Sequence, residues 1–308
     1  MFNRAVAQKK ILDGVSFDIK PGETLALVGE SGCGKTVLVR TILGIEEKTS
    51  GTILYCGKDV DDMSGAEKRR MLRNTQLIFQ DTAGALHPRM SIRESVEEPL
   101  ILSGVKDAKK RENVIEDVFR QIGLDTSYLS RFPHQISGGQ CQRVVIARCL
   151  VLNPQLIFAD EPILALDVSL QAQIINILMD LQEYKGISIF LVAHDLAVVR
   201  QIANEIMIMY LGTIVESASS TELYANAKHP YTKVLLKAAP SITKGVKNKR
   251  FDLDLKPGDT PDASRLPAGC PFSTRCVYAD GLCEKQKPKP VLVSEGHTVM
   301  CHKWDQLD

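Results

Sequence analysis

The stretch Gly29-Glu30-Ser31-Gly32-Cys33-Gly34-Lys35-Thr36 constrains this chain more than any other. It follows the apolar run Leu25-Ala26-Leu27-Val28. It precedes Val37-Leu38-Val39-Arg40-Thr41-Ile42-Leu43, whose apolar residues have helical spacing. A buried strand, a glycine-rich turn and a helix in that order make a phosphate-binding P-loop. Glycines let backbone N–H groups close on phosphate oxygens with no Cβ in the way. The helix N-terminus adds partial positive charge. Lys35 is placed to reach β- and γ-phosphates, and the Thr36 hydroxyl to ligate Mg²⁺. Gly29, Glu30, Ser31, Gly32, Cys33, Gly34, Lys35 and Thr36 are therefore the expected nucleoside triphosphate contacts.

The 308 residues allow one large domain or two. A formal net charge of +1 provides no global field for nucleic acid, so no nucleic-acid partner is expected. No run of about eighteen apolar residues occurs, so no transmembrane helix is expected. Met1 to Lys10 lacks the apolar core of a signal peptide. A cytosolic location is expected, where eight cysteines would not form disulfides.

Short apolar runs predict strands at Ile11–Phe17 and Thr24–Val28, joined as a hairpin by Lys20-Pro21-Gly22-Glu23. Further strands are predicted at Thr52–Tyr55, Gln76–Phe79, Leu156–Ala159, Ile187–Val192, Ile206–Tyr210 and Thr213–Val215. Ser64–Arg73 reads as a basic, exposed helix. Ser91 to about Asn153 is mainly helical, with Val114, Ile115, Val118, Phe119 and Ile122 on one face. Asp167 or Ser169 caps a helix whose apolar face carries Ile174, Ile175, Leu178 and Leu181. Alternating strands and helices imply an α/β fold with a mostly parallel sheet covered on both faces. From Pro240 to Pro267 the composition turns to Pro, Gly, Lys and Asp, which reads as a linker before a small cysteine-containing module.

Leu156 to Glu161 is an apolar strand ending in two acids. At such a strand end Asp160 can hold Mg²⁺, and Glu161 can polarise an attacking water as a general base. Downstream of the P-loop comes Ile136-Ser137-Gly138-Gly139-Gln140. Here the chain resembles the ABC-transporter ATPases, whose signature is LSGGQ. Other elements match in family order. Gln80 in Leu77-Ile78-Phe79-Gln80-Asp81 resembles the Q-loop, Ala165-Leu166-Asp167 the D-loop, and His194 in Val192-Ala193-His194-Asp195 the switch histidine. The resemblance covers most of residues 10–235.

This resemblance implies a P-loop NTPase fold with an antiparallel β-subdomain and a helical subdomain at about residues 91–153. It implies two such domains sandwiching two ATP molecules. Ser137, Gly138, Gly139 and Gln140 would then meet the nucleotide held by the other subunit's P-loop, with Asp167 also at the nucleotide. Glu161, His194, Lys35 and Gln80 would be the catalytic set, and Thr36, Gln80 and Asp160 the Mg²⁺ set. Gln80 would also sense a membrane partner. Phe2 is the early candidate for stacking on adenine.

A narrower resemblance follows. His229-Pro230-Tyr231-Thr232, then Leu266-Pro267-Ala268-Gly269-Cys270-Pro271-Phe272, Arg275-Cys276, Cys283 and Cys301 resemble the oligopeptide/dipeptide importer subfamily, which includes nickel importers. Leu86-His87-Pro88-Arg89-Met90 resembles its segment near the permease. The implied organisation is an ATPase domain over 1–235 and an extension over 236–308. The implied partners are a second ATPase subunit (a copy or a paralogue), two membrane permeases and, indirectly, an extracytoplasmic substrate-binding protein. The implied location is the cytoplasmic face of the membrane, peripherally bound. Cys141 after the signature, Leu164 before the D-loop and Thr82 after the Q-loop depart from the subfamily pattern. The first two keep open a weakly active partner of a more active ATPase.

Cys270, Cys276, Cys283 and Cys301 are separated by five, six and seventeen residues. Neither the common zinc-ribbon nor the ferredoxin spacing is present. Spacing alone permits four thiolates at a metal without naming it, with His297 and His302 as further donors. Unliganded structural cysteines are the alternative to any metal; resemblance to the importer tail favours a [4Fe-4S] cluster over zinc, and four sulfurs that fail to converge would exclude both. Around one zinc the sulfurs would lie ~3.8 Å apart; around an iron cube, roughly 6–7 Å.

Overall fold

In chain order the strands are β1 Thr24–Val28, β2 Leu54–Tyr55, β3 Lys58–Asp59, β4 Thr75–Ile78, β5 Leu156–Asp160, β6 Ser188–Ala193, β7 Glu205–Tyr210, β8 Thr213–Ser219, β9 Val291–Ser294 and β10 His297–Val299. They come from a computed structural model that describes residues 10–80, 82–164, 166–238, 255–256 and 267–307. The chain divides into two compact units. Met1–Asp18, Leu25–Arg40 and Ala193–Asp308 form the first, and Ile19–Thr24 with Thr41–Val192 the second.

In the second unit β4, β5 and β6 run parallel, with Leu77 opposite Phe158 and Phe158 opposite Phe190. Ile157, Phe158, Ala159, Ile189, Phe190 and Leu191 are fully buried. Continuous apolar runs of this kind suit strands covered on both faces. β2 and β3 form a separate antiparallel pair. The helices Ile92–Leu102, Ala108–Gln121 and Gly138–Leu150 fill the predicted helical stretch. Two of them, and the basic helix Gly65–Asn74, begin with a capping box: Ser64 with Glu67, Ser91 with Glu94 and Ser137 with Gln140. Each pair satisfies two otherwise orphaned backbone donors, which fixes where the helix starts.

In the first unit β1 pairs parallel with β7, β7 antiparallel with β8, β8 with β10, and β10 with β9. The cysteine-containing tail carries Cys283 on the short helix Gly281–Lys285, and adds β10 beside β8 with β9 beyond it. The predicted strand at Ile11–Phe17, and with it the hairpin, is not formed. Gly14 turns the chain at a φ of 67°. The hydrogen bonds from Asp13 N–H to Gly212 O at 2.8 Å and from Lys287 Nζ to the Asp13 carboxylate at 2.6 Å hold this segment where a ladder was expected. Phe2, Ala165 and most of the predicted linker lie outside the described residues.

β10 is also fastened by charge. His297 is fully buried, with Nε2 2.8 Å from Glu216 Oε1 and Nδ1 3.4 Å from Glu222 Oε1. Glu216 further accepts the N–H groups of Lys228 and His229 at 2.6 and 3.0 Å. Burial works against the imidazolium, but the Glu216 hydrogen bond and charge, aided by Glu222, outweigh it and raise the His297 pKa above 6.5. A histidine raised in the folded state stabilises the fold below its ordinary pKa and loses that contribution as pH rises through the raised value. The thermal midpoint of the wild type should therefore fall as pH rises from about 6 to about 9. His297→Gln should cost about 1–3 kcal/mol at the acid end and flatten that slope. An unaltered slope in the variant would contradict the linkage.

Candidate functional site

The P-loop lies in the first unit. Lys35 is 4% exposed, and its Nζ donates to Gly29 O at 2.8 Å and Glu30 O at 3.0 Å. Leu38 N–H donates to Gly34 O at 3.0 Å, which starts the helix Lys35–Ile42 directly from the loop. Gly34 has a φ of 109°, and a Cβ there would sit 3.2 Å from Leu12 Cδ2 and 3.3 Å from Ile11 O. Only glycine takes that conformation without strain. Ser31 and Gly32 are exposed, Thr36 is half-buried and Cys33 is buried. Burial pushes the Cys33 thiol up, so it acts as a packed apolar side chain rather than a nucleophile.

Glu30 is the most heavily tied residue of the loop. Its N–H donates to Tyr231 Oη at 3.1 Å. Both carboxylate oxygens accept from Arg275 Nη1 at 2.9 Å, and the same nitrogen lies 3.5 Å from Tyr210 Oη. Beneath them Tyr210, Tyr231 and Phe272 form a buried aromatic cluster with centroids 4.7 to 5.4 Å apart. His194 is also in this unit, exposed directly after β6, with Asp195 capping the next helix through Ala197 N–H.

The second unit carries the acids. Asp160 ends β5 and is 4% exposed. Glu161 is half-buried and has a φ of 48°, unusual for a residue with a Cβ. Its N–H donates to Val192 O at 3.0 Å, so the parallel sheet holds the strained turn. Gln80 is exposed, and its Nε2 donates to Glu161 Oε2 at 3.3 Å. The structure thus joins the Q-loop residue to the candidate base.

Ser137 caps the helix Gly138–Leu150 and is exposed with Gly138, while Gly139 is buried. A Cβ on Gly138 would meet nothing within 4 Å; one on Gly139 would lie 2.6 Å from Leu170 Cδ2. One glycine leaves the helix end open, and the other lets the signature helix press on Leu170. That leucine belongs to the helix Val168–Lys185, which Asp167 caps by accepting the Leu170 N–H at 2.9 Å. Gln140 is turned inward, donating from Nε2 to Tyr128 Oη at 2.9 Å. Cys141 is half-buried with Sγ 3.6 Å from Pro133 O, and Leu164 is 42% exposed.

Cys270, Cys276, Cys283 and Cys301 line one small pocket together with Phe272 and His302. Burial pushes the Cys270 thiol up to about 12, and the charges of Cys301, Cys276 and Cys283 add to the shift. Cys301 is raised to about 11, mainly by burial. Cys270 N–H donates to Cys283 O at 2.7 Å, which draws two parts of the module together. Among the described residues no group of three or more His, Cys, Asp or Glu side chains is disposed to hold a metal ion. The alternative of a single zinc therefore has no ligand set there. His297 is engaged by Glu216, and His302 Nε2 lies 2.9 Å from Gln286 O, so neither imidazole is placed as the further donor the sequence suggested.

Comparison with known proteins fits these sites. Residues 12–164 match the ABC transporter family model, and residues 215–283 match the C-terminal region of oligopeptide/dipeptide transporters. The oligopeptide transport ATP-binding protein AppF of Bacillus subtilis is 43% identical, over 98% of this chain and 92% of that protein. OppF of Haemophilus influenzae, also an oligopeptide transport ATP-binding protein, is 43% identical over 96% of this chain and 89% of its own. The chain belongs to the oligopeptide/dipeptide group of ABC-transporter ATP-binding proteins. Among solved structures, the dimeric ATP-binding cassette MJ0796 with ADP and Pi superposes with a TM-score of 0.62. It is 30% identical and covers 68% of this chain and 90% of its own. The cassette cbiO1 of Clostridium perfringens gives 0.64 at 27% identity, covering 70% and 84%.

This ABC protein is an ATP-hydrolysing transporter subunit. Two site neighbours escaped the sequence reading. Tyr231 and Arg275 stand in the segments used to recognise the subfamily, but spacing cannot reveal that both reach Glu30, 201 and 245 residues away. The only sequence signal was an acidic residue, Glu30, within a loop built for anions.

Proposed function

We propose that this chain hydrolyses ATP to drive import of oligopeptides or dipeptides across the cytoplasmic membrane. The observation that carries this reading is the continuous likeness to peptide-transport ATP-binding proteins, through both the ATPase region and the C-terminal region. Lys35 and the loop N–H groups would bind the phosphates, with Gly29, Glu30, Ser31, Gly32, Cys33 and Gly34 shaping the loop. Thr36, Gln80 and Asp160 would hold Mg²⁺, which neutralises phosphate charge when bound. Glu161 would take the proton of the attacking water, and His194 would orient that water or the γ-phosphate. The Gln80–Glu161 contact supports a shared task for those two residues. Ser137, Gly138, Gly139, Gln140 and Asp167 would serve a nucleotide bound by a second ATPase subunit, a copy or a paralogue. Two permeases and an extracytoplasmic binding protein would complete the assembly. The subunit would sit peripherally on the cytoplasmic face. The division into an ATPase domain over 1–235, with its helical subdomain at about 91–153, and an extension over 236–308 belongs to the same reading.

Glu161→Gln keeps shape but removes the base. It should bind MgATP and lose turnover by about a hundredfold or more. Turnover at the wild-type rate would remove Glu161 from the mechanism.

We also propose a [4Fe-4S] cluster on Cys270, Cys276, Cys283 and Cys301. The reading rests on the resemblance of the tail and on four thiols that border one pocket, where burial disfavours bare thiolates; among the described residues these thiols are not gathered into a ready-made metal-binding group. A cationic iron core would offset that penalty. Sulfurs spread around a cube need not approach as closely as those around one ion. Anaerobically prepared protein should be brown and contain about four irons per chain. Cys276→Ser should bleach it. Colourless, iron-free wild type would end this proposal.

A further inference from the structure

We infer that Arg275 is a positioning residue for the nucleotide site, acting as the counter-charge of P-loop Glu30. Glu30 places a carboxylate on a loop whose ligand is a polyanion, where a like charge opposes binding. Arg275 answers that charge through one nitrogen shared by both carboxylate oxygens, each at 2.9 Å. Tyr231 Oη holds the Glu30 N–H, and Lys35 Nζ holds the Glu30 carbonyl. The side chain, amide and carbonyl of one residue are thereby all fixed, and Arg275 supplies an opposite charge to the side chain. Its guanidinium lies 5.8 Å from the Tyr210 ring centroid and 5.9 Å from that of Phe272, which holds the cation in place. Arg275 N–H donates to Phe272 O at 3.1 Å, and Cys276 N–H to the same oxygen at 3.0 Å. The turn that carries two of the four clustered cysteines therefore also carries the group that neutralises the phosphate loop.

The inference rests on the P-loop being the ATP site, and charge separates it from a packing role. Arg275→Gln in the full chain should weaken MgATP binding about five- to tenfold. At saturating MgATP its kcat should stay within about twofold of wild type. Arg275→Lys keeps the charge and should restore most of the affinity. Glu30→Gln/Arg275→Gln should bind MgATP more tightly than Arg275→Gln alone, because the charge needing an answer is gone. Glu30→Gln by itself, which leaves the C-terminal module untouched, should tighten binding. The Arg275→Gln loss should shrink as salt rises. Equal weakening in the Gln and Lys variants, no relief by Glu30→Gln, or weaker binding in Glu30→Gln alone would each overturn the counter-charge role. Wild type that bound no MgATP at all would instead fail the ATP-site reading.

Discussion

The phosphate loop depends on how Glu30 is held. A P-loop works by presenting backbone N–H groups to an anion, so its backbone must be rigid before the anion arrives. Here that rigidity comes from a tyrosine at 231 on the Glu30 N–H and the loop's own Lys35 on the Glu30 carbonyl, while an arginine at 275 answers the Glu30 charge. The buried rings of Tyr210, Tyr231 and Phe272 set the floor on which those groups stand. The C-terminal segments are thus part of the loop's support within the first unit, and β10, tied through His297 to Glu216, anchors them to β8.

The second unit follows a different logic. Its parallel strands end in Asp160 and Glu161, and the sheet holds Glu161 in a conformation that costs backbone energy. Such strain survives only where surrounding structure over-determines it. The Val192 carbonyl and the Gln80 amide do so here. The signature helix and the helix capped by Asp167 press together at Gly139 and Leu170, so two family motifs share one packing contact.

Local pattern made most of this legible. The apolar runs of β5, β6 and β7 are short-range signals, and each strand appears where the residues put it. Ile11–Phe17 misled because alternating apolar residues resemble a strand whether or not a partner strand is available. Its backbone partner is the Gly212 carbonyl rather than a strand, and Lys287 holds the Asp13 carboxylate. The strands β9 and β10 were missed because they are short and the pairing of β10 with β8, which brings the hairpin into the sheet, is non-local. The same holds for Arg275: a contact spanning 245 residues leaves no trace in spacing. The histidines of the tail show the opposite error, since donors near cysteines in sequence turned out to serve Glu216 and the Gln286 carbonyl.

ATP chemistry in this chain depends on Lys35 and its loop, so equilibrium binding of MgATP to the full chain and to Lys35→Ala is the most direct test. Loss of a charge-assisted phosphate contact should weaken binding by about tenfold to a hundredfold. Equal affinity in the two proteins would contradict the assignment of the P-loop as the nucleotide site.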